Sequence, residues 1–210
     1  MKYIDLSQKI DNGIPVYPGD DSVSLIQVKQ LEKDHYNAYA LSSGLHVGTH
    51  IDCPMHLLDS PLMMADYALE SFAGRGFLID ARGVADMDYV EEYNKTIQKD
   101  DIVLILTGMD AFYGSERYYR DHPVVTERLA HFLVSREIKM LGMDMPSPDY
   151  PPFPVHKGLL GNGIFVLENL TGLDKLLDFK DFEVIAAPLK IYAEASLTRA
   201  FARCLQCTGL

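Results

Sequence analysis

The chain has 210 residues and a mass of 23.6 kDa, the length of one domain (residues 1–210) able to bury a core without disulfides or a structural metal. Apolar residues at 48% and charged residues at 23% exclude a disordered or fibrous protein. A net charge of −11 with no basic stripe speaks against nucleic acid and anionic membranes, and three cysteines (Cys53, Cys204, Cys207) do not make a disulfide framework.

Taken from the N-terminus, MKYIDLSQKI has no apolar signal core, and no later stretch approaches bilayer length, so a soluble cytoplasmic protein acting on a small molecule is expected. Tyr3 to Ile10 reads as a short strand running into the turn Asp11-Asn12-Gly13, and Tyr17-Pro18-Gly19-Asp20 is a second turn. A strand is predicted over residues 22–28, with Val23 and Leu25, and at its end Val28, as the inward candidates. Residues 39–52 read as strand material, because Leu41, Leu45, Val47, Thr49 and Ile51 all fall on odd positions. Residues 74–80 and 101–107 are apolar runs, the second continuous enough for a strand buried on both faces.

A helix is predicted over residues 126–136 from Leu129, Phe132 and Leu133, with Glu127 near its positive end. Met140 to Met143 follows as a short strand. Five of the eleven prolines (146, 148, 151, 152, 154) then make a stiff loop; Pro154 opens a short helix carrying His156 and Gly161 ends it. Residues 163–168, 182–188 and 189–192 have strand character. Strands outnumber helices, and their order predicts a mixed α/β or α+β fold.

Histidines at uniform spacing would place about 0.4 in any eleven-residue window. The window HVGTHIDCPMH holds His46, His50 and His56 together with Asp52, all on even positions, while the apolar residues are odd. An extended chain sends those two sets to opposite faces. A helix would also put His46 and His50 on one face, but Gly48, Val47, Thr49, Ile51 and Pro54 oppose it. Fully extended, His46 and His50 would lie about 13 Å apart. Sharing an ion therefore requires a bend, and Gly48 is the residue best able to supply it. Imidazoles beside a carboxylate suit zinc, manganese or iron(II) better than calcium or magnesium. His156 and Glu168 form a second, weaker pair of candidate ligands beyond the proline loop.

The pattern HxGTHxDxPxH, here His46, Gly48, Thr49, His50, Asp52, Pro54 and His56, resembles the signature of the metal-dependent cyclase/hydrolase family that includes bacterial kynurenine formamidase and isatin hydrolase. The likeness extends to Asp5-Leu6-Ser7 and Tyr17 to Asp20, to Leu106-Thr107-Gly108 and Gly142-Met143-Asp144, to His156 with Glu168-Asn169-Leu170, and to Ala186-Pro188-Leu189. The resemblance implies a swivelling β/β/α fold, a mixed sheet or barrel flanked by helices, assembled as a homodimer or homotetramer. It implies that His46, His50 and Asp52 hold one metal, that Asp52 bridges to a second held by His156 and Glu168, that His56 is the catalytic histidine, and that Tyr17 stands at an aromatic substrate-binding position. One or two Zn2+ ions are the implied cofactor, with Mn2+ the alternative.

The expected chemistry is hydrolysis of a formamide, cyclic amide or lactone, with His56 as general acid and base. A cyclase or dehydratase on the same groups, and a non-catalytic metal- or ligand-binding member of the fold, are the rival readings. Cys53 replaces a small residue of the family pattern and is expected to pack; AEASLTRA (193–200) and the short loop 149–153 depart from kynurenine formamidases and bear on the substrate. Cys204-Leu-Gln-Cys207 has the spacing of a redox or metal pair but no second pair beside it. His35, His122 and His131 are expected at the surface.

Overall fold

Alternation along short apolar strands, and unbroken apolar character in one of them, dictates a sheet covered on both sides. The computed structural model describes residues 1–207, with side chains through Leu205. Its strands are β1 (Lys2–Asp5), β2 (Ser24–Lys29), β3 (Ala38–Ser42), β4 (His50–Asp52), β5 (Ala73–Asp80), β6 (Asp86–Met87), β7 (Ile102–Leu106), β8 (Val124–Val125), β9 (Met140–Met143), β10 (Phe165–Glu168), β11 (Phe179–Pro188) and β12 (Ala195–Cys207). Eight of them form one sheet in the order β1-β12-β11-β5-β7-β9-β10-β4. A further pairing of β4 with β12 closes this sheet into a barrel, leaving β1 outside the ring. Strands β5, β7, β9 and β10 run parallel, and the other junctions are antiparallel, the mixed α/β architecture expected.

The alternation in β7 assigns the two sides of the wall. Ile102, Leu104 and Leu106 pack into the interior with Ile51, Met140, Leu167, Phe182 and Val184. Val103 and Ile105 point outward with Leu141 and Val166, where two helices cover them. One is Glu127–Ser135, whose Thr126 cap accepts a hydrogen bond from the Leu129 N–H (3.2 Å) and which buries Leu129 and Leu133. The other is Pro154–Gly161, opened by its proline as predicted, which buries Val155, Leu159 and Leu160. Each buried leucine contributes about 1.5–3 kcal/mol.

Several expectations fail for identifiable reasons. Residues 39–52 are not one strand. Ala38–Ser42 pairs with β2 in a separate ribbon, a turn follows, and only His50–Asp52 joins the barrel. Val28 and Leu41 are accordingly 52% and 49% exposed, while Val23 is buried. Strand β1 stops at Asp5, and Leu189 to Tyr192 is not a strand. The longest strand, β12, escapes sequence reading because the residues it buries are small (Ala200, Ala202, Cys204) and alternate with Arg199 and Arg203, which pair with Asp5 and Glu183. Small residues carry little apolar signal.

Candidate metal centre

Strand register builds the core of the site. Glu168 lies opposite His50 and Val166 opposite Asp52, so His50, Asp52 and Glu168 project from one face of the β4–β10 pair. That face is the outer one, because Ile51 and Leu167 fill the interior and Val166 packs outward. The helix Pro154–Gly161 also packs on this outer side and contributes His156, and the 3-10 turn Pro54–His56 that follows β4 brings back His56.

His46 reaches the same place through Gly48, whose φ of +60° lies in the left-handed region that glycine adopts without strain. The His46 and His50 ring centroids end 5.0 Å apart, where an extended chain would hold the residues about 13 Å apart. The Gly48 carbonyl also fixes the neighbouring imidazole: it accepts from His50 Nδ1 (2.8 Å), which leaves Nε2 bare and turned toward the carboxylates. Asn169, itself at φ +57°, donates its amide to the same carbonyl (2.9 Å) and accepts from the Tyr118 hydroxyl (2.7 Å).

The six groups crowd together. Asp52 Oδ1 is 2.9 Å from His46 Nδ1 and 3.5 Å from His50 Nε2; Asp52 Oδ2 is 3.3 Å from His156 Nε2 and 4.0 Å from His56 Nε2. Glu168 Oε2 lies 3.3 Å from His50 Nε2, and Oε1 lies 3.8 Å from His156 Nδ1. Burial alone would raise the Asp52 carboxyl, but the neighbouring imidazoles of His50, His156 and His46 hold it well below the usual carboxylate range. Burial and the Asp52 charge push Glu168 up. Burial would lower His46, yet Asp52, Glu168 and Glu194 lift it to about 9. His56 is pushed down to about 4, first by burial and then by the other three histidines, against the pull of Asp52.

Five buried atoms of this cluster lack a hydrogen-bond partner: His50 Nε2, both Asp52 oxygens, His156 Nε2 and Glu168 Oε1. Leaving such atoms unpaired costs about 1–3 kcal/mol each, more for charged groups, so their convergence calls for a cation. Among the described residues, His46/Asp52/His56 and His50/Asp52/Glu168 each bring three donor atoms within 4.8 Å of one another. Asp52 belongs to both sets. Nitrogen and carboxylate donors in such numbers fit a divalent transition ion.

A cavity of about 300 Å3 opens onto this cluster, walled by Tyr17, Tyr113, Tyr119, Tyr150 and Phe153. Tyr17 meets Tyr119 edge-on at 5.5 Å. Cys53 packs away from the cluster, with Sγ 3.9 Å from the Leu62 and Ala193 carbonyls, and Cys204 is buried in the barrel interior. The Cys207 side chain lies outside the described residues. Three residues were given no role of their own at the site by the sequence. Glu194 places Oε1 3.4 Å from His46 Nε2; Asp149 accepts from the Val155 N–H (2.7 Å) at the start of the His156 helix. His122, expected at the surface, is 6% exposed and stacked on Tyr150 at 4.2 Å on the cavity wall. None has a local signature; only chain folding brings them near.

Both the sequence and the fold have relatives among known proteins. The profile of the family described as "Putative cyclase" matches residues 4–150. Kynurenine formamidase from Bacillus cereus is 30% identical over 96% of this chain and 97% of its own, and that from Erythrobacter litoralis is 29% identical over 98% and 95%. Isatin hydrolase A from Labrenzia aggregata, solved with benzyl benzoate, shares the fold with a TM-score of 0.84 at 24% identity over 98% of this chain and 94% of that one. Matched by the profile through most of its length and by these relatives almost from end to end, the chain belongs to the cyclase family.

Proposed function

We propose that the protein is a metal-dependent hydrolase that cleaves a non-peptide carbon–nitrogen bond of a small molecule, a formamide or cyclic amide, with lactones as the oxygen counterpart. One observation carries this reading: five buried, unpartnered donor atoms from His50, Asp52, His156 and Glu168 converge beside a small aromatic cavity. The kynurenine formamidases among its relatives support the bond type. His46, His50, Asp52, His156 and Glu168 are assigned as ligands, Asp52 shared between two positions, for one or two ions; zinc is the first choice and manganese the second. When bound, the cation would supply Lewis acidity, lowering the pKa of water toward neutrality and polarising a carbonyl.

The chain's own groups do the rest. His56, neutral at pH 7 and on the cavity wall, takes the proton of the attacking water at Nε2 and returns it to the leaving nitrogen as the C–N bond breaks. Tyr17 and the tyrosines beside it orient a planar substrate and exclude water. The test is elemental analysis of the purified protein, then turnover of a formamide, lactam and lactone panel with and without chelator. His56→Ala should abolish turnover and keep the metal; loss of metal in that variant overturns the role given to His56. No turnover by metal-loaded protein anywhere in the panel, or ring closure as the product, overturns the hydrolase. The family resemblance adds a homodimer or homotetramer to this reading. Among the described residues no helix is long and apolar enough to cross a membrane.

A further inference from the structure

We infer that the substrate of this site carries an ammonium group and no carboxylate, and that Asp20, His122 and Asp149 on the cavity wall select it. The inference rests on the hydrolase reading above and narrows its substrate. No lysine or arginine lines the cavity, so a carboxylate remote from the metal centre finds no counter-charge there. Two carboxylates stand on the wall outside the assigned ligands: Asp20, on an exposed turn, and Asp149, which is 6% exposed. Asp149 Oδ2 accepts from the Val155 N–H, but its Oδ1 is buried without a partner. An acceptor stripped of water and given no hydrogen bond is costly, and a donor entering the cavity relieves that cost.

The uncharged groups repeat this bias. His122, as buried as Asp149, donates from Nδ1 to the Pro123 carbonyl (2.9 Å). Burial pushes its pKa down and keeps the ring neutral, so Nε2 presents a lone pair. The Tyr113 and Tyr150 hydroxyls donate to the Pro15 and His122 carbonyls (3.1 and 3.0 Å), which leaves their oxygens as acceptors. The faces of Tyr17, Tyr119 and Phe153 add the negative side of their quadrupoles, which attracts organic cations. A net charge of −11 on the chain draws cations in and repels anions. A cavity of about 300 Å3 is at the small end for ligand sites and suits one ring with a short arm. The loop 149–153, which departs from kynurenine formamidases in sequence, supplies Asp149, Tyr150 and Phe153 to this wall.

The test compares para-aminomethyl, para-hydroxymethyl and para-carboxy formanilide as substrates at neutral pH. Calorimetric titration of the purified protein with para-aminomethyl and para-hydroxymethyl aniline adds a binding readout that needs no turnover. The ammonium compound should exceed its hydroxymethyl isostere by about tenfold or more in kcat/KM and in affinity, and the carboxylate should be the poorest substrate. Asp20→Asn, at an exposed position where folding is not at stake, should narrow the ammonium-to-hydroxymethyl ratio by about threefold or more, through KM. His122→Phe, which keeps a ring against Tyr150, should narrow it as well. Preferential binding of the ammonium compound without turnover of any formanilide supports the selection and refutes the formamide chemistry. Turnover with no preference for ammonium, or a preference that neither substitution narrows, overturns the selection alone.

Discussion

Gly48→Ala probes the bend on which the metal centre depends. At φ +60° a Cβ costs about 1–2 kcal/mol of backbone strain. The added methyl would also sit 3.0 Å from Ile14 Cδ1, a mobile end that can move by a few tenths of an ångström, so strain dominates. For a chain of this size that corresponds to a fall in Tm of about 2–8 °C. Stability is the smaller consequence. If the backbone relaxes to escape the strain, the Gly48 carbonyl turns away from His50 Nδ1 and the Asn169 amide, at 2.8 and 2.9 Å, and His50 loses its orientation. Disturbing such a supporting hydrogen bond typically lowers metal affinity by about 10–100-fold. Thermal unfolding of the metal-free variant reads the first effect, and titration against a competing chelator reads the second. Unchanged Tm together with unchanged affinity would refute both the strain and the link from Gly48 to His50.

In the metal-free chain His46 keeps a proton until about pH 9, so an incoming cation must displace it. Affinity for divalent metal should therefore rise about tenfold per pH unit and level off above about pH 9; a flat profile from neutral pH upward contradicts the assignment of His46 as a ligand. Saturation with the resident ion at 100 times its Kd should add about 2.7 kcal/mol, a rise in Tm of about 5–10 °C that chelation reverses; absence of this shift means that the unpartnered cluster does not bind metal. Asp149→Ala and Thr126→Ala each remove a helix-start acceptor at about 0.5–2 kcal/mol, yet only the first loosens the helix bearing His156. Calorimetry should find them similar and metal titration should separate them; equal metal affinities count against Asp149 as a support for His156. Tyr17→Ala should raise KM several-fold with kcat little changed, and a fall in kcat alone would remove Tyr17 from substrate binding.

The residues of the centre were legible because their chemistry is unusual and their spacing local. Three histidines and an aspartate within eleven residues, broken by a glycine, stand out in any chain, and β4 does carry two of them on one face. The parity argument nevertheless assumed one long strand. His46 and Leu41 leave that alternation because the chain turns after Ser42, and only His50 to Asp52 is held by barrel partners. Residues such as Glu194, Asp149 and His122 were silent, since a lone acid or histidine in a loop has the same composition whether it faces solvent or a cavity.

By itself the sequence determined what depends on neighbours along the chain: the buried strand Ile102–Leu106, the capped helix Glu127–Ser135, the proline-opened helix Pro154–Gly161 and the positive-φ bend at Gly48. Tertiary structure alone decided the rest. Closure of β4 onto β12, the opposition of Glu168 to His50, and the exposure of both faces of the β2–β3 ribbon depend on which distant strands meet. The physical reason is that side-chain alternation encodes a face but not its partner. Pairing is settled only when the barrel's interior volume and hydrogen-bond register are satisfied together.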